Sequence, residues 1–531
     1  MSLSDGLVGH WPLQGDARDV SGNGRHGISA GVDFSGEGLA GERGGSARFD
    51  GRRAYIEVPP GRAPAVGAGD FTIAGWVKTE ERLADAIGDI ASQYDPASRT
   101  GFNFGILTAT GVTSHQPNFR HAYFGIDNGS TPVIADCGRP GNSRFVLALA
   151  VHEGALYAGT YEEGEHEAGR VYRYAGGTEW IDCGAPDPCN SVMALAVHGG
   201  KLYAGVSRYR ASGSALPDSP NQRPGGHIYR YEGPGRWVDC GALPGADSVI
   251  CLTEYQGSLY ATPLYSQGVF RYLGGTSWEY CGTPGRRLFS LAVYDGALYA
   301  AGNEGGGVFR YDGGTRWTPV GFQPDMTQIY SFAVYQGALY VGAWPEAIVF
   351  RYDGGDQWTP CGRLGDEKEV MGMMVYNGAL YAGTLPSAEV YRYDGGSTWS
   401  RVGLLDDTPG VRYRRAWSMA TYQGRLYCGT LPSGRVLAIE AGALVSQDDA
   451  LPPGWRHVAA VRNGARLRLY VDGRLAAETR RAEGIRFDLS QTTPLYIGKG
   501  AQDHFCGSLR DLRVYDRALT ESEVRQLAAD R

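Results

Sequence analysis

From about Arg144 to Ile439 the apolar residues come in short runs separated by Gly, Asp and Asn, and the runs repeat. One copy reads Leu288-Phe-Ser-Leu-Ala-Val-Tyr-Asp-Gly-Ala-Leu-Tyr-Ala, then Val308-Phe-Arg-Tyr-Asp-Gly-Gly-Thr-Arg-Trp-Thr-Pro-Val-Gly321. The glycine that opens each Gly-x-Leu-Tyr turn stands at Gly154, Gly200, Gly257, Gly296, Gly337, Gly378 and Gly424. A period near forty residues, with four apolar runs per copy and turn residues between them, predicts the blades of a seven-bladed β-propeller. In the copy quoted, the runs predict strand a at Ser290–Tyr294, strand b at Ala297–Ala301, strand c at Gly307–Tyr311 and strand d at Trp317–Val320. Small residues recur in the middle of strand a (Ala148, Ala194, Cys251, Ser290, Ser331, Gly372, Ser418), as the crowding of inner strands around an axis requires. Trp180, Trp237, Trp278, Trp317, Trp358 and Trp399 open strand d and are read as inter-blade core.

Residues 1–130 and 444–531 lack the repeat and read instead as alternating strands flanked by Gly, Asp or Asn. Trp11 through Gly27, Ala47-Arg-Phe-Asp-Gly51 and Phe71-Thr-Ile-Ala-Gly-Trp-Val77 come first. Trp455-Arg-His-Val-Ala-Ala-Val461, Leu467-Arg-Leu-Tyr-Val-Asp-Gly473, Pro494-Leu-Tyr-Ile-Gly498 and Gly507-Ser-Leu-Arg-Asp-Leu-Arg-Val-Tyr515 follow at the far end. In this order the motifs resemble the LamG-like jelly roll of the concanavalin A-like lectin/glucanase group. The fold expected is therefore all-β. A jelly-roll sandwich formed by 1–130 and 444–531 is split by a propeller at 131–443. Ala122–Gly129 and Ala443–Asp449 read as the two arms of the interrupted hairpin. Pro132–Gly138 reads as the strand d that completes the last blade and closes the ring. Thr520 and Glu523 form a capping box that opens a last helix at Glu521–Ala529.

Composition narrows the function. Fifty Lys and Arg stand against 57 Asp and Glu, a net charge of −7, and no basic run occurs, so nucleic acid is not an expected partner. No apolar run is long enough to span a membrane, and the N-terminus has no basic or apolar leader. Five of the nine cysteines (Cys137, Cys183, Cys240, Cys281, Cys361) occupy one repeat position, too far apart from blade to blade for disulfides. Free thiols suit a reducing compartment, and a cytoplasmic location is the expectation.

Asp19-Val-Ser-Gly-Asn23 offers oxygen donors that suit a hard cation, with an ion-free Asx turn as the alternative. The family resemblance implies a structural Ca²⁺ held by Asp19, Asn23 and Asp511. The paired carboxylates used by glucanase relatives are absent, since the adjacent Glu80 and Glu81 face opposite ways on a strand. Asp312-Gly-Gly-Thr-Arg-Trp317, repeated at Asp353 and Asp394, resembles the Asp-box, a structural c–d turn. His152 and His198 replace a repeated Tyr and are read as structural substitutions.

At the channel mouth one position varies as Phe145, Ser191, Ser248, Arg287, Gln328, Glu369 and Arg415. Divergent polar residues on a regular scaffold mark the expected binding site, and Arg287, Glu369, Arg415 and Trp344 are its candidates. The function expected is non-catalytic recognition of a glycan or another polar ligand. A saccharide hydrolase or lyase at the axial face and a structural assembly component are the alternatives.

Overall fold

The computed structural model describes residues 2–83, 85–321, 323, 326–479 and 486–530. The repeats fold as seven four-stranded blades around one axis. In the fourth blade strands a to d are Leu288–Tyr294, Ala297–Gly302, Val308–Gly313 and Arg316–Pro319, within two residues of the expected bounds. The seventh blade takes strands a to c from Arg415–Tyr422, Arg425–Leu431 and Val436–Glu440. Its strand d is Val133–Asp136 from the other end of the repeat region, with Val133 opposite Glu440 and Asp136 opposite Leu437. This closes the ring and leaves no open sheet edge between first and last blades.

Two rings of hydrogen bonds join the blades. At the circumference each strand-d indole donates to a backbone carbonyl of the preceding blade. Trp180 bonds Cys137 O at 2.9 Å, Trp237 bonds Cys183 O at 3.1 Å and Trp278 bonds Cys240 O at 2.8 Å. Trp317, Trp358 and Trp399 bond Cys281 O, Val320 O and Cys361 O at 2.7–2.9 Å. The tryptophans therefore serve as inter-blade latches. At the a–b end, the last tyrosine of strand a donates to the turn glycine of the next blade, as in Tyr255 to Gly296 O, Tyr376 to Gly424 O and Tyr422 to Gly154 O. His198 keeps an inter-blade contact through Glu254, in line with a structural substitution.

The remaining strands form a sandwich. One sheet runs Asp33–Glu37, Arg43–Asp50, Cys506–Tyr515, Phe71–Thr79, Gly454–Asn463, Arg466–Val471, Arg474–Glu478, with Leu7–Trp11 also paired to Cys506–Tyr515. The other runs Ile28–Ala30, Tyr55–Val58, Leu495–Ile497, Gly88–Asp95, Thr100–Ala109, Asn118–Asn128, Ala443–Ser446. Between them lies a core that includes Phe71, Phe102, Phe104, Phe124 and Val458. The final helix, Glu521–Ala529, carries the Thr520–Glu523 capping box and packs Val524 and Leu527 on the outer face of the first sheet. Ala443 stands opposite Ile126 and Ser446 opposite Tyr123, so the sheet is continuous across the point where the propeller leaves and returns.

The sandwich docks on the a–b turns. Gln336 N bonds Ala501 O, Gly154 N bonds Asp448 O, and Asn377 Nδ2 bonds Ile126 O and Ala441 O, all at 2.7–3.0 Å. From the middle of that face a hairpin loop of the sandwich, Thr110-Gly-Val-Thr-Ser-His-Gln-Pro117, enters the propeller channel. Val112 through Gln116 are buried there. Pro117 O accepts from Val151 N of the first blade, Ser114 Oγ donates to Met193 O of the second, and Gln116 Oε1 accepts from Glu254 N of the third, at 2.8–3.1 Å. Gly111 O accepts from Ser290 Oγ of the fourth blade and Phe332 N of the fifth, and His115 Nε2 meets Met419 O of the seventh at 3.0 Å. Val112 lies against Gly372 of the sixth. A Cβ on Gly111 would stand 2.9 Å from Phe332 Cβ, and its φ of +72° is left-handed, so glycine is required.

Replacing Thr113–Gln116 by Gly-Ser-Gly-Ser removes several of these bonds and hollows the channel. A loss of roughly 4–8 kcal/mol follows from ~1 kcal/mol per bond plus the cavity. Calorimetry of this variant is expected to show separate sandwich and propeller transitions where the parent shows one. Burial also pushes His115 down to about 4 and His121 to about 3, from 6.5. Below pH 6.5 the unfolded chain takes up protons that the folded one refuses, so stability is present at neutral pH and lost as pH falls toward 4. Denaturant unfolding at pH 7 and pH 5 checks this, and His115→Gln is expected to flatten the difference.

Candidate functional site

Above the plug, strand a of six blades carries a β-bulge at its third position. The register slips between Val146 and Ala148, Val192 and Ala194, Leu288 and Ser290, Ile329 and Ser331, Val370 and Met373, and Ala416 and Ser418. The residues at the slips are Leu147, Met193, Phe289, Tyr330, Met371 and Trp417, and with Ile250 of the third blade they belong to one cluster. A bulge re-aims its side chain. The Phe289 and Tyr330 rings lie 4.4 Å apart, and Trp417 packs within 5.8 Å of both. An apolar floor thus divides the channel, with the plug below and a mouth above.

The residues singled out at the mouth now have surroundings. Glu369 is 3% exposed and Arg415 7%. Burial raises the Glu369 carboxyl to about 8, although the Arg415 charge works against the rise. Arg415 Nη1 reaches Tyr209 OH at 3.4 Å and also Ser214 Oγ, and its guanidinium lies 5.8 Å from the Trp417 ring. Arg287 lies 5.6 Å from the Tyr265 ring, and its carbonyl accepts from Asn303 N. Tyr330 sits among Glu369, Arg415, Asn303 and Arg287, with its phenol pushed up mainly by burial and then by Glu369. Trp344 is half-buried at the end of strand b, opposite Gln328, and packs on the same aromatic cluster. Glu369 Oε1, Arg415 Nε and Arg287 Nε are buried and have no hydrogen-bond partner among the described residues, while the Asn303 amide faces the Tyr330 hydroxyl.

The long b–c connection of the second blade covers this mouth. Asn190 fixes its start, accepting from Tyr209 N at 2.7 Å and donating to Tyr209 O at 3.0 Å. The 3-10 turn Ala211–Ser214 then brings Ser214 to Arg415. Arg210 lies 4.1 Å over Tyr265. Asn303, Tyr209 and Ser214 lie on the diverging b–c loops expected from the sequence to border the site, and Tyr330 was not among the sequence candidates. Tyr330 left a signal, being an aromatic hydroxyl at a position filled elsewhere by Leu, Met, Ile or an apolar aromatic.

The implied calcium ligands do not fit a cation. Both oxygens of Asp19 accept backbone N–H groups, from His10 and Ser21 on Oδ1 and Arg25 on Oδ2, each at 2.9 Å. Asp511 is held by His10 Nε2 at 2.6 Å and by Arg513 at 2.9 Å. Asn23 is exposed and donates to Leu7 O and Ser21 Oγ. No cluster of three acidic, His or Cys side chains suited to a metal occurs among the described residues. The loop is an Asx turn linked through His10 to an ion pair, in which protein donors take the place of the ion. Asp19→Ala is expected to cost about 2–4 kcal/mol through the orphaned amides. Adding Ca²⁺ to chelated parent protein is expected to leave its melting temperature unchanged.

Among the described residues no helix is long and apolar enough to cross a membrane. No curated protein matches the chain. Virginiamycin B lyase from Staphylococcus aureus is similar at 11% identity over 58% of this chain and 99% of that one, with a TM-score of 0.48. The WD40 β-propeller domain of Doa1 covers 58% of this chain at 12% identity and TM-score 0.40, with 97% of its own length covered. Sqt1 of Saccharomyces cerevisiae covers 60% at 12% identity and TM-score 0.34, with 99% of its own length covered. Residues 396–525 match the family model of the concanavalin A-like lectin/glucanases superfamily, from strand d of the sixth blade to the last helix. With the strand pairings above, the fold is a sandwich similar to the concanavalin A-like, LamG-like jelly roll, interrupted by a seven-bladed β-propeller.

Proposed function

We propose that this is a non-catalytic recognition protein that binds a carbohydrate at the propeller mouth, beneath the second-blade cover. One observation carries the reading: Glu369 Oε1, Arg415 Nε and Arg287 Nε are buried, lie around Tyr330 and lack hydrogen-bond partners among the described residues, and the Asn303 amide stands beside the Tyr330 hydroxyl. Unpartnered buried polar groups cost about 1–3 kcal/mol each, so a chain that keeps several together gains when a polyhydroxylated ligand satisfies them. Trp344 and Tyr265 supply half-buried aromatic faces beside these groups, the usual mixture of a small-molecule site. The sandwich carries clefts of about 620 and 800 Å³, both along its seam with the propeller. Its Asn118–Asn128 side is pressed against propeller turns, and the helix covers part of the opposite face.

The absence of a carboxylate pair argues against hydrolysis, since Glu369 is the only acid among the described residues at the floor of the mouth, and glycoside hydrolysis uses two. A glycan array probed with the parent protein and with Arg287→Ala/Arg415→Ala, beside an assay for released sugar, tests the reading. Binding is expected in the parent, with loss of at least about tenfold in the variant and no sugar released. Arg287→Ala alone should leave the melting temperature nearly unchanged. Arg415→Ala should lower it, because Arg415 also anchors the cover through Ser214.

A pH effect follows from Glu369, which lies beside Arg415 and Tyr330. Its folded value, about 8, lies above the unfolded 4.5, so between these pH values the folded state holds a proton that the unfolded state has released. Its contribution to stability is therefore greatest at low pH and is lost as pH rises through 8. Glu369→Gln is expected to remove that decline, seen as a smaller fall in melting temperature between pH 6 and pH 9.

A further inference from the structure

The charges at the mouth do not balance. Arg208 and Arg210 share the carboxylate of Asp247, at 2.8 and 3.3 Å. Among the described residues the Arg415 guanidinium hydrogen-bonds only to the hydroxyls of Tyr209 and Ser214 and lies against the Trp417 ring. Among the described residues Arg287 has only the Tyr265 ring. The Nε of each is buried and unpartnered among the described residues. Glu369 does not offset them, because burial keeps its carboxyl protonated up to about 8. Among the described residues neither guanidinium therefore has a carboxylate within ion-pair distance, and for the buried Arg415 an unpaired cation is among the costlier things a fold can hold.

We infer that the ligand is an acidic saccharide of the uronate type, its carboxylate received by Arg287 and Arg415. This rests on the mouth reading above. Guanidinium forks match a carboxylate in shape and charge, which an uncharged hydroxyl does not. Around them stand groups suited to the rest of a sugar: the Asn303 amide, the Glu369 carboxyl as a donor to a hydroxyl or ring oxygen, and the Trp344 face. A small inorganic anion would use the arginines but leave Asn303 and Trp344 idle.

Calorimetric titration of the full-length protein with D-glucuronate and a galacturonate trisaccharide, set against D-glucose, the galactose trisaccharide, acetate and phosphate, tests this. The uronates are expected to bind at least about tenfold more tightly than the neutral sugars and the small anions. Arg287→Gln or Arg415→Gln is expected to weaken uronate binding about tenfold to a hundredfold, in line with loss of a charge-assisted bond. Should Arg415→Gln prove unstable by thermal melt, the more exposed Arg287→Gln decides alone. Neutral sugars that bind as tightly as uronates, and lose binding in the same variants, overturn the acidic ligand but leave the mouth as the site. Saccharide binding unchanged in folded Arg287→Gln and Arg415→Gln overturns the mouth itself. Acetate or phosphate binding as tightly as uronate, or no probe binding at millimolar concentration, overturns the saccharide assignment.

Discussion

The loop Thr110–Pro117 is the constraint from which much of this structure follows. A propeller channel is lined by inner-strand backbone, and a wide channel leaves those groups to water. Here a hairpin of the sandwich fills the lower channel and meets all seven blades, by hydrogen bonds to six and by apolar contact of Val112 with Gly372. The inserted domain and its host thus share one interior. Insertion at a surface hairpin is commonly tolerated because it disturbs little. In this chain the neighbouring hairpin reaches back into the guest, so the two parts are joined by packing as well as by their two connections.

Regularity and departure from it divide the labour within the propeller. The indole-to-carbonyl latches and the tyrosine-to-glycine bonds repeat because each serves a blade interface of one geometry. Where the sequence departs, the contact changes with it. At the join between sixth and seventh blades Ile134 stands in the tryptophan position, and it packs close to Gly403. The c–d turns keep their aspartates for local reasons, since Asp394 accepts from Arg392 and Ser400, as Asp353 does from Arg351 and Thr359. The bulges are regular too. They put the third residue of strand a at the floor of the mouth in six blades, and only the identity of that residue differs.

This explains what could be read from the chain beforehand. The period, the turn glycines and the small residues of strand a fixed blade number and strand order, because each answers to local geometry repeated seven times. The split sandwich was legible from motif order, and the closing strand at Val133–Asp136 from the strand missing after Glu440. The plug was not legible. Thr113, Ser114, His115 and Gln116 read as an ordinary polar turn, and their burial depends on partners 79 to 304 residues away, in blades built by other segments. Asp19 was legible only as an oxygen-rich turn: the oxygens that suit a cation also suit three backbone amides, which they accept in the fold. Arg287, Glu369 and Arg415 were found by position in the repeat, whereas the cover that buries them comes from the irregular second-blade extension.

The two ends of the channel treat buried polarity differently, and the difference bears on where a ligand belongs. At the lower end the groups are neutral and mostly paired across the domain boundary. Gln116 Nε2 and Thr421 Oγ1 are left over, at the modest cost of neutral donors. At the upper end the atoms left unpaired among the described residues are a carboxyl oxygen and the Nε of two guanidiniums, which cost more to bury. Residues that break the rule of satisfied interiors concentrate where a chain gives up stability for another use. The latches and the plug supply the reserve that lets the mouth remain unsatisfied. An unsatisfied mouth on an otherwise saturated channel has the character of a site whose last partner is not part of the chain.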